Sequence, residues 1–197
     1  MACVAGRATS YAGHMTSRLA AVNRAHVADA LTASRFVLAV ILVPIVARGA
    51  WLPAGIVVAA AWWTDFLDGR VARSTTGSRL GDWDPHADTV VGFGIVVGLA
   101  GGGHLPGPVW WLVIGGLLTV THLLTGIFAF SELAQALGYG PLLYLAAVHR
   151  GTAFLVMVAT IGAILVLDAT RFRTYTLPAF FDGLRSFARL VDPRKRC

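Results

Sequence analysis

Long apolar runs alternate with short polar segments over most of the chain. Each run approaches the ~20 residues that a helix needs to cross the hydrocarbon core of a bilayer, and glycines and prolines mark the turns between runs. Residues 131–150 contain Gly138, Gly140 and Pro141, which predict an interrupted connecting or surface segment. We predict membrane-spanning helices at residues 31–48, 51–68, 84–103, 107–130 and 151–167.

The two ends of the chain are more polar than its middle. Residues 1–15 have no continuous apolar core and are predicted to form a disordered tail, whereas residues 16–30 are mildly amphipathic and are predicted to lie on the membrane surface. Residues 168–197 predict a weak sixth span or an interfacial helix, followed by a basic tail. The expected fold is an all-α polytopic membrane helix bundle with five to six transmembrane helices and an N-terminal interfacial helix. Its transmembrane domain covers residues 31–167.

The composition supports a closely packed membrane protein. Hydrophobic residues make up 56% of the chain and charged residues only 13%. The formal net charge is +6, but the arginines lie between apolar runs, which suits anionic lipid headgroups rather than nucleic acid. Cys3 and Cys197 lie in the two tails and form no metal or redox motif. Small residues within the third span, Gly92, Gly94 and Gly98, predict close contact between helices.

Acidic residues concentrate where the second span ends and the third begins. Asp65 and Asp68 are three residues apart, and Asp84 and Asp88 are four apart. Each pair shares one helical face with Cβ atoms about 5–6 Å apart, so two helices joined by a short loop direct four carboxylates into one pocket. Carboxylates are costly near a membrane and are functional candidates there, and such hard oxygen ligands suit Mg²⁺ or Mn²⁺. The alternative is a solvated loop with chance spacing.

This segment resembles the signature of the CDP-alcohol phosphotransferases, Asp-x2-Asp-Gly-x2-Ala-Arg-x8-Gly-x3-Asp-x3-Asp. The loop is shorter than in the family, because seven residues rather than eight separate Arg73 from Gly81, and two rather than three separate Gly81 from Asp84. All eight fixed residue types are present, at Asp65, Asp68, Gly69, Ala72, Arg73, Gly81, Asp84 and Asp88.

Two further stretches resemble parts of the family pattern. Asp29, Thr32 and Arg35 resemble the Asn-x2-Thr-x2-Arg at the start of the family's first span, with Asp29 in place of Asn. Residues 149–152 stand where the family often carries Gly-Lys-x-Lys-Thr, but the lysines are absent.

The resemblance implies a reaction in which an alcohol hydroxyl attacks the β-phosphorus of a CDP-linked lipid and CMP leaves. It implies two Mg²⁺ or Mn²⁺ ions held by Asp65, Asp68 and Asp84. Asp88 is implied to be the general base and a further metal ligand. The nucleotide-binding residues implied in the same way are Gly69, Arg73, Thr32, Arg35 and Gly81.

The resemblance is greatest to short phosphatidylglycerophosphate synthase-like members, and it implies a homodimer. CDP-diacylglycerol is therefore the expected donor and glycerol 3-phosphate the first acceptor, with inositol phosphate or another acceptor as the alternative. The distribution of arginines predicts an inner-membrane protein whose acids face the cytoplasm. A catalytically silent membrane scaffold is a rival hypothesis, because the loop is shortened and the lysines are missing. A divalent-cation transporter would need acids deep within several spans, and the first, fourth and fifth predicted spans have none.

Overall fold

The computed structural model describes residues 5–72, 83–182 and 185, and these are helical apart from short connections. The predicted all-α fold is confirmed for this part of the chain. The elements are α1 (Ala5–Ala47), α2 (Trp51–Ala72), α3 (Asp84–Gly101), α4 (Pro108–Thr125), α5 (Phe128–His149), α6 (Gly151–Leu167) and α7 (Ala169–Arg171). A π-helical turn (Phe172–Thr176) and helical residues 177–182 extend α7.

The helices α1 to α6 pass up and down between the two ends of one bundle. At the first end, which we call the closed end, the ring centroid of Trp51 lies 4.8 Å from that of His104 and 5.7 Å from that of His149. At the second, which we call the acid end, the hydroxyl of Ser131 at the start of α5 lies 3.3 Å from the carbonyl oxygen of Pro85 at the start of α3. The six passes return the chain to the acid end after α6.

Helix α3 lies at the centre of the bundle, between α1 and α5. Gly98 leaves no room for a side chain, because a Cβ atom there would lie 2.8 Å from the carbonyl oxygen of Val43 on α1. On the opposite side, a Cβ atom at Gly138 of α5 would lie 2.3 Å from the carbonyl oxygen of Gly92. The predicted close contact at the glycines of α3 is therefore confirmed, and it allows the helix backbones to pack directly against each other.

The prediction of a connecting or surface segment at residues 131–150 is wrong. These residues belong to α5, which is continuous from Phe128 to His149 and contains Pro141. Gly138 does not interrupt the helix; it gives the helix the contact surface that meets α3. The same residue type breaks a helix in one setting and permits close packing in another.

The prediction of a single span at residues 107–130 is also wrong. Helix α4 ends at Thr125, and Gly126 follows it with φ of 66°. The amide of Gly126 donates to the carbonyl oxygen of His122 at 2.8 Å, an arrangement in which a left-handed glycine ends a helix. The chain then turns back at Ile127 to begin α5.

The two ends of the described region are helical. Helix α1 is continuous from Ala5 to Ala47, and the disorder expected for residues 1–15 and the surface position expected for residues 16–30 stay predictions. Extending a helix that already exists avoids the cost of nucleating a new one. At the other end, residues 169–182 bend by 81° from α6. Residues 183–184 and 186–197, with the predicted basic tail, lie outside the described residues.

Several helices have the length and apolar character of membrane spans. Ala25–Ala47 and Pro108–Thr125 each qualify alone, and Gly151–Leu167 with Ala169–Asp182 forms a third, bent candidate in the described part of the chain. Large apolar side chains cover the outer surface, among them Val40, Leu124 and Val166, which are 72%, 81% and 80% exposed. A surface of this kind requires an apolar environment, so the chain is an integral membrane protein. The count of five to six spans stays a prediction.

The contact between α3 and α5 predicts a selective loss of stability. We expect Gly138→Ala to destabilise the bundle by about 1–3 kcal/mol, as overpacking of a close-packed interior does, because the added methyl group would meet the Gly92 backbone. Gly140→Ala is the matched control, since a Cβ atom there meets nothing within 4 Å. Thermal unfolding in detergent measures both. Equal melting temperatures for the two variants would contradict this packing.

Candidate active site at the acid end

Three helices bring their polar residues together at the acid end. Helix α2 contributes Asp65 and Asp68, which are three residues apart, and α3 contributes Asp84 and Asp88, which are four apart. Their helical spacing directs each pair to one face, and the two faces meet around Arg35 of α1. The structure thus unites the four acids that the sequence singled out.

Arg35 lies between the four carboxylates, and its side chain is fully buried. Its Nη1 donates to Oδ1 of Asp65 at 3.0 Å and to Oδ1 of Asp88. Its Nη2 donates to Oδ2 of Asp68 and Oδ1 of Asp84. The planar guanidinium presents several donors in a fixed fork, so one side chain connects α1 to both acid-bearing helices.

Asp68 is the most enclosed of the four acids. Its side chain is 4% exposed, compared with 24% for Asp88, 35% for Asp84 and 44% for Asp65. The hydroxyl of Thr32 lies 3.0 Å from Oδ2 of Asp68, whereas Oδ1 is buried and has no hydrogen-bond partner among residues 5–72 and 83–182. The cluster is therefore closed at Asp68 and open toward Asp65 and Asp84.

The chemistry of the cluster fits a divalent cation. One oxygen each from Asp65, Asp68 and Asp84 lies within 4.8 Å of the others, and carboxylate oxygens are the ligands that Mg²⁺ and Mn²⁺ prefer. A buried oxygen with no partner is costly, and a cation would satisfy Oδ1 of Asp68. Asp88 does not belong to this group of three, so its predicted part in metal binding stays a prediction.

The structure describes three of the five nucleotide-binding residues that the resemblance implies. Thr32 and Arg35 contact the acid cluster, and Gly69 follows Asp68 on α2. Arg73 and Gly81 lie outside the described residues. No described contact assigns Thr32, Arg35 or Gly69 to a nucleotide, so these roles stay predictions.

A chain of hydrogen bonds that the sequence analysis missed ties α5 to the start of α3. The side-chain amide of Gln135 donates to Oγ of Ser131 at 3.2 Å. That hydroxyl lies 2.6 Å from Oγ1 of Thr89. Thr89 in turn donates to the carbonyl oxygen of Pro85 at 2.7 Å. Ser131 and Thr89 are fully buried, so the chain fixes the turn that carries Asp84 and Asp88. The available signal was the polar pair at positions 131 and 135, four residues apart in an apolar helix.

The segment compared with the family's basic entry motif does not lie near the acids. His149 ends α5 at the closed end, where its ring stacks on Trp51, and Arg150 follows it before α6. Residues 149–152 therefore lie at the opposite end of the bundle from the acid cluster.

A cavity of about 190 Å³ opens beside Asp65. Its apolar side is formed by Phe66, Leu165 and Phe172, among others. Its polar side includes Arg171, whose Nη1 lies 3.7 Å from Oδ2 of Asp168. An amphiphilic cavity thus adjoins the most exposed of the four acids.

Comparison with known proteins agrees with this geometry. No curated protein and no solved structure gives a significant match to the chain. A family model described as CDP-alcohol phosphatidyltransferase matches residues 25–181, which include every described residue of the acid cluster and most of the chain. The chain therefore belongs to the CDP-alcohol phosphatidyltransferase family, a family of membrane transferases in phospholipid biosynthesis.

Proposed function

We propose that the protein transfers a phosphatidyl group from CDP-diacylglycerol to a small polar alcohol and releases CMP. The observation that carries this proposal is the meeting of four carboxylates from α2 and α3 at one end of a membrane bundle. Glycerol 3-phosphate is the first acceptor to test, because the chain resembles short phosphatidylglycerophosphate synthases. Inositol phosphate is the second. As the resemblance implies, we expect a homodimer with its catalytic domain at residues 31–167.

Asp65, Asp68 and Asp84 are the residues that would hold Mg²⁺ or Mn²⁺, in a site for two ions. Bound ions would supply charge neutralisation of the pyrophosphate and of the attacking and leaving oxygens. Thr32 orients Asp68 through its hydroxyl, and the chain of hydrogen bonds from Gln135 to Pro85 holds the helical turn of Asp84. These contacts fix the carboxylates before a substrate arrives.

Asp88 is the group that we assign to proton transfer. It lies one helical turn beyond Asp84 and is 24% exposed, so it can reach an acceptor hydroxyl beside the metal-binding oxygens. As the hydroxyl oxygen bonds to the β-phosphorus, Asp88 takes its proton. The bond from the β-phosphorus to the bridging oxygen breaks, and CMP leaves with that oxygen and the electron pair.

The cavity beside Asp65 suits the donor lipid. CDP-diacylglycerol joins an anionic pyrophosphate to two acyl chains, and the cavity combines a polar side at Arg171 with an apolar side at Phe66 and Leu165. Arginine pairs well with phosphate oxygens. We assign this cavity to the part of the donor where the headgroup meets the acyl chains.

The position of the arginines supports an inner-membrane protein whose acid end faces the cytoplasm. Arg70, Arg171 and Arg173 lie toward the acid end, whereas Arg48 and Arg150 lie at the closed end. Because α5 adds a pass through the bundle, Arg150 lies at the closed end and Arg171 and Arg173 lie toward the acid end; without that pass their positions would be reversed. The excess of arginine at the acid end satisfies the positive-inside rule.

Release of CMP tests the proposed reaction. Purified protein in nanodiscs, supplied with CDP-diacylglycerol, Mg²⁺ or Mn²⁺ and a panel of alcohols, should release CMP with at least one acceptor. Glycerol 3-phosphate and inositol phosphate head that panel. EDTA should abolish the release because the carboxylates would lose their cations. Failure with every acceptor would favour the silent scaffold, and full activity in EDTA would refute the metal assignment.

A further inference from the structure

Arg35 makes its contacts in the space where the carboxylates converge. Each of the four acids directs one oxygen to its guanidinium, and the side chain is fully buried. Three of these acids form the group that fits a divalent cation. A cation bound by these acids would therefore place its positive charge beside that of the guanidinium.

The spacing of the oxygens supports competition rather than shared occupancy. Carboxylate oxygens bind Mg²⁺ at about 2.0–2.1 Å, and one oxygen each from Asp65, Asp68 and Asp84 lies within 4.8 Å of the others. The guanidinium contacts all four carboxylates and lies in the space between them that a bound cation would occupy. Like charges at such short range also repel.

We infer that Arg35 is an internal counter-cation of the acid cluster, and that divalent cations bind there by displacing it. Arg35 thus lowers the affinity of the site for metal while it holds α1 against α2 and α3. Its displacement frees a guanidinium next to the position of the anionic donor, which fits the nucleotide-binding role expected for Arg35. The inference rests on the metal site of the proposed function.

A role in which Arg35 positions the metal ligands predicts the opposite change in metal affinity. If Arg35 positioned the carboxylates for metal without leaving them, its removal would disorder the ligands and weaken metal binding. If it competes with metal, its removal strengthens binding. The direction of the change in metal affinity therefore separates the two roles.

Mn²⁺ titration, followed by electron paramagnetic resonance, tests the inference on detergent-purified protein. A neighbouring arginine changes the proton affinity of a carboxylate by about 10- to 1,000-fold, so we expect Arg35→Gln to bind Mn²⁺ at least about tenfold more tightly than the wild type. Arg70→Gln is the matched control, because Arg70 lies near the acids on α2 but packs over the ring of Phe66. It should bind Mn²⁺ like the wild type.

Thermal unfolding of the same proteins gives a second measurement. Without metal, Arg35→Gln should melt below the wild type, since its carboxylates repel one another without a counter-cation. Saturating Mn²⁺ should raise its melting temperature more than that of the wild type, because a ligand stabilises a protein according to its affinity. An equal or smaller rise would overturn the inference.

A third measurement needs no variant and covers the case in which Arg35→Gln does not fold. Phenylglyoxal modifies accessible arginines, and peptide mass spectrometry locates the modification. Arg35 of the wild type should be protected in EDTA and should become reactive when Mn²⁺ is added. Unchanged or stronger protection with Mn²⁺, or equal or weaker Mn²⁺ binding by Arg35→Gln, would overturn the inference while leaving the metal site intact. Absence of Mn²⁺ binding in every protein would refute the metal site itself.

Discussion

Asp65→Asn and Asp84→Asn should each abolish CMP release and weaken binding of divalent cations. Each variant replaces a carboxylate by a neutral amide in the three-acid group that fits a metal, and an amide oxygen attracts a dication less strongly than a charged carboxylate does. The two acids come from different helices. The loss of CMP release and of cation binding should nevertheless be similar in the two variants, although the surroundings of the two acids differ. CMP release and Mn²⁺ titration measure the two effects on the same preparations.

Asp182→Asn is the control for this pair of variants. Asp182 is an exposed acid paired with Arg185 at 3.2 Å, remote in sequence from the cluster. Its replacement removes the same charge and should leave CMP release and Mn²⁺ affinity unchanged. Wild-type turnover in Asp65→Asn or Asp84→Asn would contradict the assignment of these residues as metal ligands.

Asp88→Asn should lower turnover by about 10²- to 10⁴-fold, the usual effect of losing a general base. It should retain most of the affinity for CDP-diacylglycerol and for metal, because Asp88 lies outside the group of three acids. Asp65→Asn, in contrast, should lose both turnover and binding. Measurements of CDP-lipid affinity and CMP release for the two variants side by side in nanodiscs separate these roles.

Two results would contradict the division between base and ligands. One is near-normal turnover in Asp88→Asn. The other is an equal loss of CDP-lipid binding in Asp88→Asn and Asp65→Asn. In either case the family would stand, and the proton acceptor would have to be sought among the other polar groups at the acid end.

The acid cluster could be predicted from the sequence because each of its two pairs depends only on spacing within one helix. Asp65 and Asp68 share a face through helical periodicity alone, and so do Asp84 and Asp88. Because the connection between α2 and α3 is short, the end of α2 and the start of α3 lie close together, and so do the two pairs. The structure confirms this meeting, and the metal and proton-transfer roles stay predictions.

The position of Arg35 among the acids could not be predicted in the same way. Its partners lie 30 to 53 residues further along the chain, so their contact depends on the depth and rotation of α1 against two other helices. A basic residue near the start of a span is equally consistent with an anchor that extends to the membrane surface. Only the packing of three helices distinguishes a fully buried arginine from an anchor.

Residues 131–150 show a second limit of sequence analysis. Gly138 and Pro141 are typical of a break between helices, yet α5 passes through both. The deciding contact is the backbone of Gly92 on α3, which is distant in sequence. Without α5 the chain would have one crossing of the bundle fewer, and Arg150 would lie at the acid end instead of the closed end.

The connections at the closed end are short. Residues 48–50 join α1 to α2, residues 102–107 join α3 to α4, and Arg150 alone joins α5 to α6. In the proposed orientation, these connections are the only described parts of the chain that face the cell exterior. Proteases and impermeant labels added to intact cells would therefore find very little backbone to attack. After lysis, the same reagents would meet the acid end, which makes the protein a sensitive marker of membrane sidedness.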